Sequence, residues 1–158
     1  MKSLPDSDSE EGRKPADRRH ARGLAGEELA RGYLERRGYD ILEMNLRSRY
    51  GEIDIIARQG SVIAFIEVKT RLGDRHGEPF EAVGARKQGQ LRRMAQMWLA
   101  ARSGDPSLRE CEFRFDVISV KMDDRREQFW SDTAPEGRGI GPAPVKEGGI
   151  EHLEDAFR

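Results

Sequence analysis

The sequence predicts an α/β domain: a mixed central β-sheet flanked by helices, in the order αβββαβ(β). Three observations carry that expectation. Residues 21–37 and 84–102 place apolar side chains at helical spacing. Two β-rich runs, EIDIIAR at 52–58 and SVIAFIEVK at 61–69, meet across Gln59-Gly60, which is a hairpin signal. The second helix then separates these runs from a further strand pattern at 112–121, and parallel strands need such a crossover.

In chain order, residues 1–17 are rich in Ser, Asp, Glu and Lys with almost no large apolar residue, so they are expected to form a disordered tail. The first helix buries Ala25, Leu29, Ala30, Tyr33 and Leu34 and stops at Gly38. Residues 39–45 form the first strand, and the two runs above form the second and third. Residues 71–81 make a polar loop, and the second helix carries a stripe of Leu91, Met94, Ala95, Trp98 and Leu99. A short fifth strand is expected at 127–130. The domain so defined spans residues 18–130. Residues 131–149 hold five Gly and three Pro and read as a flexible segment. Their Gly137–Gly141 stretch lacks a preceding strand and is followed by Pro142, which argues against a phosphate loop. Residues 150–158 regain apolar residues at Ile150, Leu153, Ala156 and Phe157, the spacing of a short docking turn.

The longest apolar run, 62–66, is far below the roughly 20 residues of a membrane span, so no membrane partner is expected. One cysteine, Cys111, cannot close an internal disulfide, which predicts a reducing, cytoplasmic setting. The chain carries 28 basic and 29 acidic residues, a net charge of −1 that argues at first against a nucleic-acid partner. The charge is unevenly spread. Residues 18–121 hold 20 basic and 15 acidic residues, while the two ends are acidic. A basic centre between acidic tails leaves a phosphate-bearing partner open.

The hairpin carries the chemistry. A loop centred on Gln59-Gly60 pairs Asp54 with Phe65 and Glu52 with Glu67, so Glu52, Asp54, Glu67 and Lys69 emerge on one face. Asp54 and Glu67 are then diagonal neighbours about 7 Å apart or less. Carboxylates so placed can reach one divalent cation at oxygen distances near ~2.1 Å. Both lie in apolar surroundings, IDII and AFIEV, where a charge is costly unless paired or metal-bound. The hairpin alone also fits a cross-strand Glu–Lys ion pair on a solvated face. Glu27 lies at the edge of the first helix's apolar stripe, where it can lean over the sheet or serve as an ordinary first-turn acid.

The spacings Gly23-x-x-Gly26-Glu27-x-x-Ala30-x-x-Tyr33-Leu34-x-x-x-Gly38-Tyr39, Asn45-x-Arg47 and Gly51-Glu52-Ile53-Asp54 resemble those of the YraN-like uncharacterised protein family. So do Phe65-x-Glu67-Val68-Lys69-Thr70-Arg71, Gly77-x-Pro79, Ala82-Val83, Lys87 and Arg114-Phe115-Asp116-Val117, with His152-Leu153-x-x-Ala156-Phe157 near the C-terminus. The resemblance runs over residues 22–120, with the terminal motif as an outlier. It implies a restriction-endonuclease-like fold of the PD-(D/E)XK superfamily, similar to archaeal Holliday junction resolvases. Asp54 matches the motif Asp, Glu67-Val68-Lys69 matches E-x-K, and Glu27 matches the helix Glu. Ile53 stands where the motif name has Pro.

The resemblance implies an endonuclease that uses Mg²⁺, or Mn²⁺, on nucleic acid, with DNA the expected substrate and branched DNA included. Asp54, Glu67 and the Val68 backbone carbonyl would hold the ion, and Lys69 would orient the attacking water. Glu27 would position water or help hold a second ion, and Glu52 would support the site. Arg71, Arg75, His76 and Lys87 would contact phosphates. Asp116 fits either a supporting place at the site or a structural bridge to Arg114 or Arg47. Trp98 and Trp130 read as core residues. Cys111, His20 and His152 receive no role. The alternatives are a non-catalytic nucleic-acid-binding module of the same fold and a protein-interaction domain. A resolvase-like role implies a homodimer.

Overall fold

The computed structural model describes residues 15–72, 83–122 and 149–158. It contains α1 (Pro15–Arg36), β1 (Asp40–Ser48), β2 (Gly51–Gln59), β3 (Val62–Leu72), α2 (Ala85–Ala100), a 3₁₀ turn (Pro106–Leu108), β4 (Glu112–Met122) and β5 (Ile150–Phe157). The predicted strand at 127–130, the flexible segment up to residue 148, residues 73–81 of the predicted polar loop and residues 1–14 of the predicted tail lie outside the described residues. Arg71 and Leu72, expected in that loop, end β3 instead. Residues 15–17, assigned from sequence to that tail, open α1 instead.

The five strands lie in the order β1-β2-β3-β4-β5, a mixed sheet. Only β3 and β4 run parallel, and α2 supplies the crossover that such a pair requires. Strand alternation divides the core between two faces. Ile55, Ala57, Ala64, Ile66, Ile118 and Val120 pack with Ala25, Leu29, Ala30 and Leu34 of α1. Ile56, Ile63, Phe65 and Val117 pack with Leu91, Met94, Ala95 and Trp98 of α2. The helices therefore cover opposite faces. Phe65 meets Trp98 edge-on at 5.8 Å between ring centroids, so Trp98 is core as the helical spacing predicts. No helix among the described residues is long and apolar enough to cross a membrane.

The helix stop is read correctly from the sequence. Gly38, with φ +81°, follows α1. Its N–H donates to Glu35, and the Tyr39 N–H donates to Leu34, each at 3.0 Å. This is a Schellman closure, and glycine meets its left-handed position without a Cβ clash.

Two expectations need correction. The β2–β3 register pairs Gln59 with Val62 and Ile55 with Ile66, two residues away from the predicted register. The turn is Gly60-Ser61, with positive φ (+59°) at Gly60 alone, the pattern of a II′ hairpin. Centring the loop one residue early put glycine at the second turn position rather than the first. The ladder ends at Ile55↔Ile66, one residue short of Asp54 and Glu67, so the expected diagonal between them does not follow from it.

The second correction is at the C-terminus. The expected docking turn at 150–158 is a strand, β5, antiparallel to β4 at the sheet edge. Val117 pairs with Leu153, but Phe115 pairs with Phe157, so β5 carries two extra residues at that point. Asp155 there has φ +51°. That bulge breaks the two-residue alternation and makes the apolar spacing look helical.

Candidate active site

Asp54 occupies an interruption in the sheet. The β2–β3 ladder ends at Ile55↔Ile66, and the β1–β2 ladder passes from Met44↔Ile55 to Leu46↔Ile53, skipping Asp54 and Asn45. Asn45 has φ +54°, a conformation Asn tolerates better than most residues. Ile53 packs with Ile56 on the α2 face although simple alternation would separate them, so the side-chain order changes at Asp54. In place of a strand carbonyl, Asp54 Oδ2 accepts the Val68 N–H at 2.7 Å. A buried amide left by the interrupted ladder is thereby satisfied.

Glu67 follows Phe65 on the α2 face, with its side chain only 5% exposed. Lys69 Nζ donates to Oε1 at 2.7 Å. Lys87 Nζ, from the first turn of α2, lies 3.0 Å from Oε2. That second contact is an ion pair without good hydrogen-bond alignment, since Oε2 is buried with no hydrogen-bond partner. Lys69 is 43% exposed and Lys87 26%, so both amines extend from the buried carboxylate toward solvent.

Glu27 approaches from α1. A Cβ on Gly26 would lie 1.8 Å from Thr70 Oγ1, so glycine is what lets the helix come this close to β3. The Asn45 side chain hydrogen-bonds to Glu27, and Glu27 Oε2 is buried without a partner. Burial raises the Glu27 pKa; the Asn45 bond opposes that shift, Glu52 adds to it, and Arg47 and His20 oppose it. Asp54 is pushed much further, to about 7. Burial is the largest cause, and the Glu67 charge comes next, while the Val68 amide and Lys87 act against them.

The donor chemistry of Asp54 and Glu67 fits a hard divalent cation: two buried carboxylates whose mutual repulsion a positive ion would relieve. The expected convergence of three carboxylates is not formed. Among the described residues no three His, Cys, Asp or Glu side chains gather closely enough to hold one ion. Glu27, on the helix covering the other face, stands beside the pair and is felt electrostatically by Asp54. Val68 contributes its amide to Asp54.

The remaining expected residues divide clearly. Glu52 is half exposed and pairs with Arg47 at 3.4 Å, outside the buried pair. Arg71 follows Lys69 along β3 on the same face, by strand alternation. Arg75 and His76 lie outside the described residues. Lys87, expected at the phosphate, is placed on Glu67. Asp116 is fully buried and belongs elsewhere: it holds Arg114 at 3.1 Å, His152 at 2.9 Å and the Asp155 N–H at 3.0 Å. It ties β5 to β4 on the α1 face, which corrects the supporting role and leaves the structural bridge to Arg114, without Arg47. His152, given no role from sequence, is buried in that tie against Tyr33 and Tyr39. The terminal motif containing His152 was the available signal. Asn45 was missed in the same way, although its motif was visible.

The family model for uncharacterised protein family UPF0102 matches residues 26–120. A UPF0102 protein of Syntrophotalea carbinolica is 50% identical over 99 residues, covering 63% of this chain and 77% of the relative. One from Chlorobium chlorochromatii is 41% identical over 135 residues, 85% of this chain and 89% of the relative. One from Rhodococcus opacus is 40% identical over 137 residues, 87% and 96% of the two chains. The matched span includes Glu27, Asn45, Asp54, Glu67, Lys69 and Lys87, and the chain belongs to the UPF0102 family.

Proposed function

We propose that this protein is a metal-dependent endonuclease that hydrolyses phosphodiester bonds of nucleic acid, DNA first and branched or structured DNA among its substrates. The observation that carries the reading is the Asp54–Glu67 pair, two buried carboxylates held side by side with Lys69 on one of them. Buried charge costs stability unless it is paired or metal-bound. The lysines pair Glu67, while Asp54 accepts from the neutral Val68 amide and its pKa is pushed up to about 7. The E-x-K spacing and the interrupted strand at Asp54 support a restriction-endonuclease-like fold as the frame. Asp54 and Glu67 would hold Mg²⁺ or Mn²⁺, which supplies Lewis acidity to a phosphoryl oxygen and to water.

The chain's own groups would do the rest. Val68 N–H fixes Asp54 Oδ2, and the carboxylate so oriented would offer Oδ1 to the ion. Lys69, anchored at Glu67 yet solvent-accessible, orients an attacking water and offsets charge as the phosphorane-like transition state forms. Glu27, with its unpartnered oxygen, positions water from the α1 side. Arg71 extends the basic line along β3 toward a phosphate backbone. A symmetric dimer would present two such sites to a branched substrate, and the single cysteine suits a reducing, cytoplasmic setting.

A second reading, a nucleic-acid-binding module without catalysis, is favoured by one observation: lysines already stand at both Glu67 oxygens. A cleavage panel separates the two. Duplex, single-stranded, flap and four-way-junction DNA, with matching RNA, are incubated with Mg²⁺, Mn²⁺ or chelator. Metal-dependent cleavage that is lost in Glu67→Gln supports the enzyme. Salt-sensitive binding without cleavage in any metal supports the module and overturns the enzyme.

A further inference from the structure

We propose that Lys87 is a built-in stand-in for the divalent cation, holding Glu67 in the metal-free protein and leaving it when the ion binds. The inference rests on the reading that Asp54 and Glu67 form a cation site. Its basis is the placement of Lys87. The amine lies 3.0 Å from Glu67 Oε2, but that oxygen has no aligned hydrogen bond. The contact is an ion pair rather than an aligned hydrogen bond, so its strength is that of the charge, which another cation can supply. Lys69 occupies the other oxygen at 2.7 Å with a true hydrogen bond, so Oε2, buried beside Lys87, is the oxygen an ion would take in exchange for the lysine.

The helix position is otherwise unfavourable for a lysine. Lys87 and Arg86 sit in the first turn of α2, which has no acidic residue and no side-chain cap at Gly84. Positive charge at a helix N-terminus opposes the macrodipole. Among the described residues the buried Glu67 carboxylate, with Asp54 acting at longer range, offsets that arrangement while no ion occupies its place. Lys87 keeps 26% of its side chain exposed, so its amine can exchange the carboxylate for water. Ion entry and Lys87 release are therefore one exchange, and the lysine sets how tightly the site holds metal.

The test is a Mn²⁺ titration of the full chain at pH 8.5, where proton competition for Asp54 is small, read by the free-ion electron paramagnetic resonance signal. Removing the competing charge by Lys87→Gln should tighten Mn²⁺ binding about tenfold or more, given the strength of a close charge contact. Lys87→Arg, which keeps the charge, should stay within about threefold of wild type. The metal-free Gln variant should also melt lower and gain more from saturating Mn²⁺. If the Gln variant fails to fold, Lys87→Met, which keeps the aliphatic stem, repeats the measurement. Wild type binding Mn²⁺ with an unchanged or weaker Gln variant overturns the stand-in role alone. An Arg variant as tight as the Gln variant overturns it too. No Mn²⁺ binding by wild type and Gln variant alike overturns the cation site and this inference with it.

Discussion

Asp54→Asn is predicted to make the metal-free protein more stable at alkaline pH. The Asp54 carboxyl is buried and its pKa rises from an ordinary 3.8 to about 7 in the fold. The folded state thus binds a proton more tightly than the unfolded chain, and stability falls as pH climbs from about 4 to about 7. At 1.36 kcal/mol for each pH step, the full loss is about 4 kcal/mol. Side-chain relaxation and water entry reduce this to about 2–4 kcal/mol. Asn removes the titration while its amide oxygen can still accept the Val68 N–H now bonded at 2.7 Å. Urea unfolding in chelator at several pH values reads the difference directly. The Asn variant's advantage should grow by about 2–4 kcal/mol between pH 4 and pH 8, or roughly 3 °C in melting point per kcal/mol. A gap that stays constant with pH, or a variant less stable than wild type at pH 8, would refute the claim that Asp54 is held against its own charge.

Three further outcomes are expected. Gly26→Ala should lose about 1–2 kcal/mol, the overpacking cost against Thr70 less the better helix propensity of Ala, and Thr70→Gly in the same chain should restore part of the loss; urea midpoints check both. Asp116→Ala should cost about 3–5 kcal/mol, because it leaves Arg114 and buried His152 without their shared carboxylate, and hydrogen exchange should rise over β5 before the rest of the sheet. Glu27→Gln should leave Mg²⁺ affinity within about threefold of wild type while lowering any cleavage rate about 100-fold, which calorimetry and gel assays separate.

Much of the fold was legible because its signals are local. The α1 stripe, the Gly38 stop and the helix between β3 and β4 each follow from periodicity or turn chemistry within a few residues. The β5 strand was not, because the bulge around Asp155 destroys the alternation that marks a strand, and its partner β4 lies more than 25 residues away in sequence. Asp54, Glu67 and Lys69 were legible as charges inside apolar runs. Their true juxtaposition depended on whether Gly60 is the first or second turn residue, a one-position difference that moves the register by two. Lys87 on Glu67 and Asn45 on Glu27 were illegible as contacts, since each joins residues brought together only by packing of a helix on a strand. Gly26 stood in plain view, but its reason, the nearness of Thr70, exists only in three dimensions.

The central claim is that Asp54 and Glu67 together hold a divalent cation. Isothermal titration of Mg²⁺ into wild type and into the Asp54→Asn/Glu67→Gln double variant at pH 8 tests it most directly. The account predicts a saturable site in wild type that disappears in the double variant while the variant remains folded. No saturable binding in wild type, or the same affinity in both proteins, would contradict it.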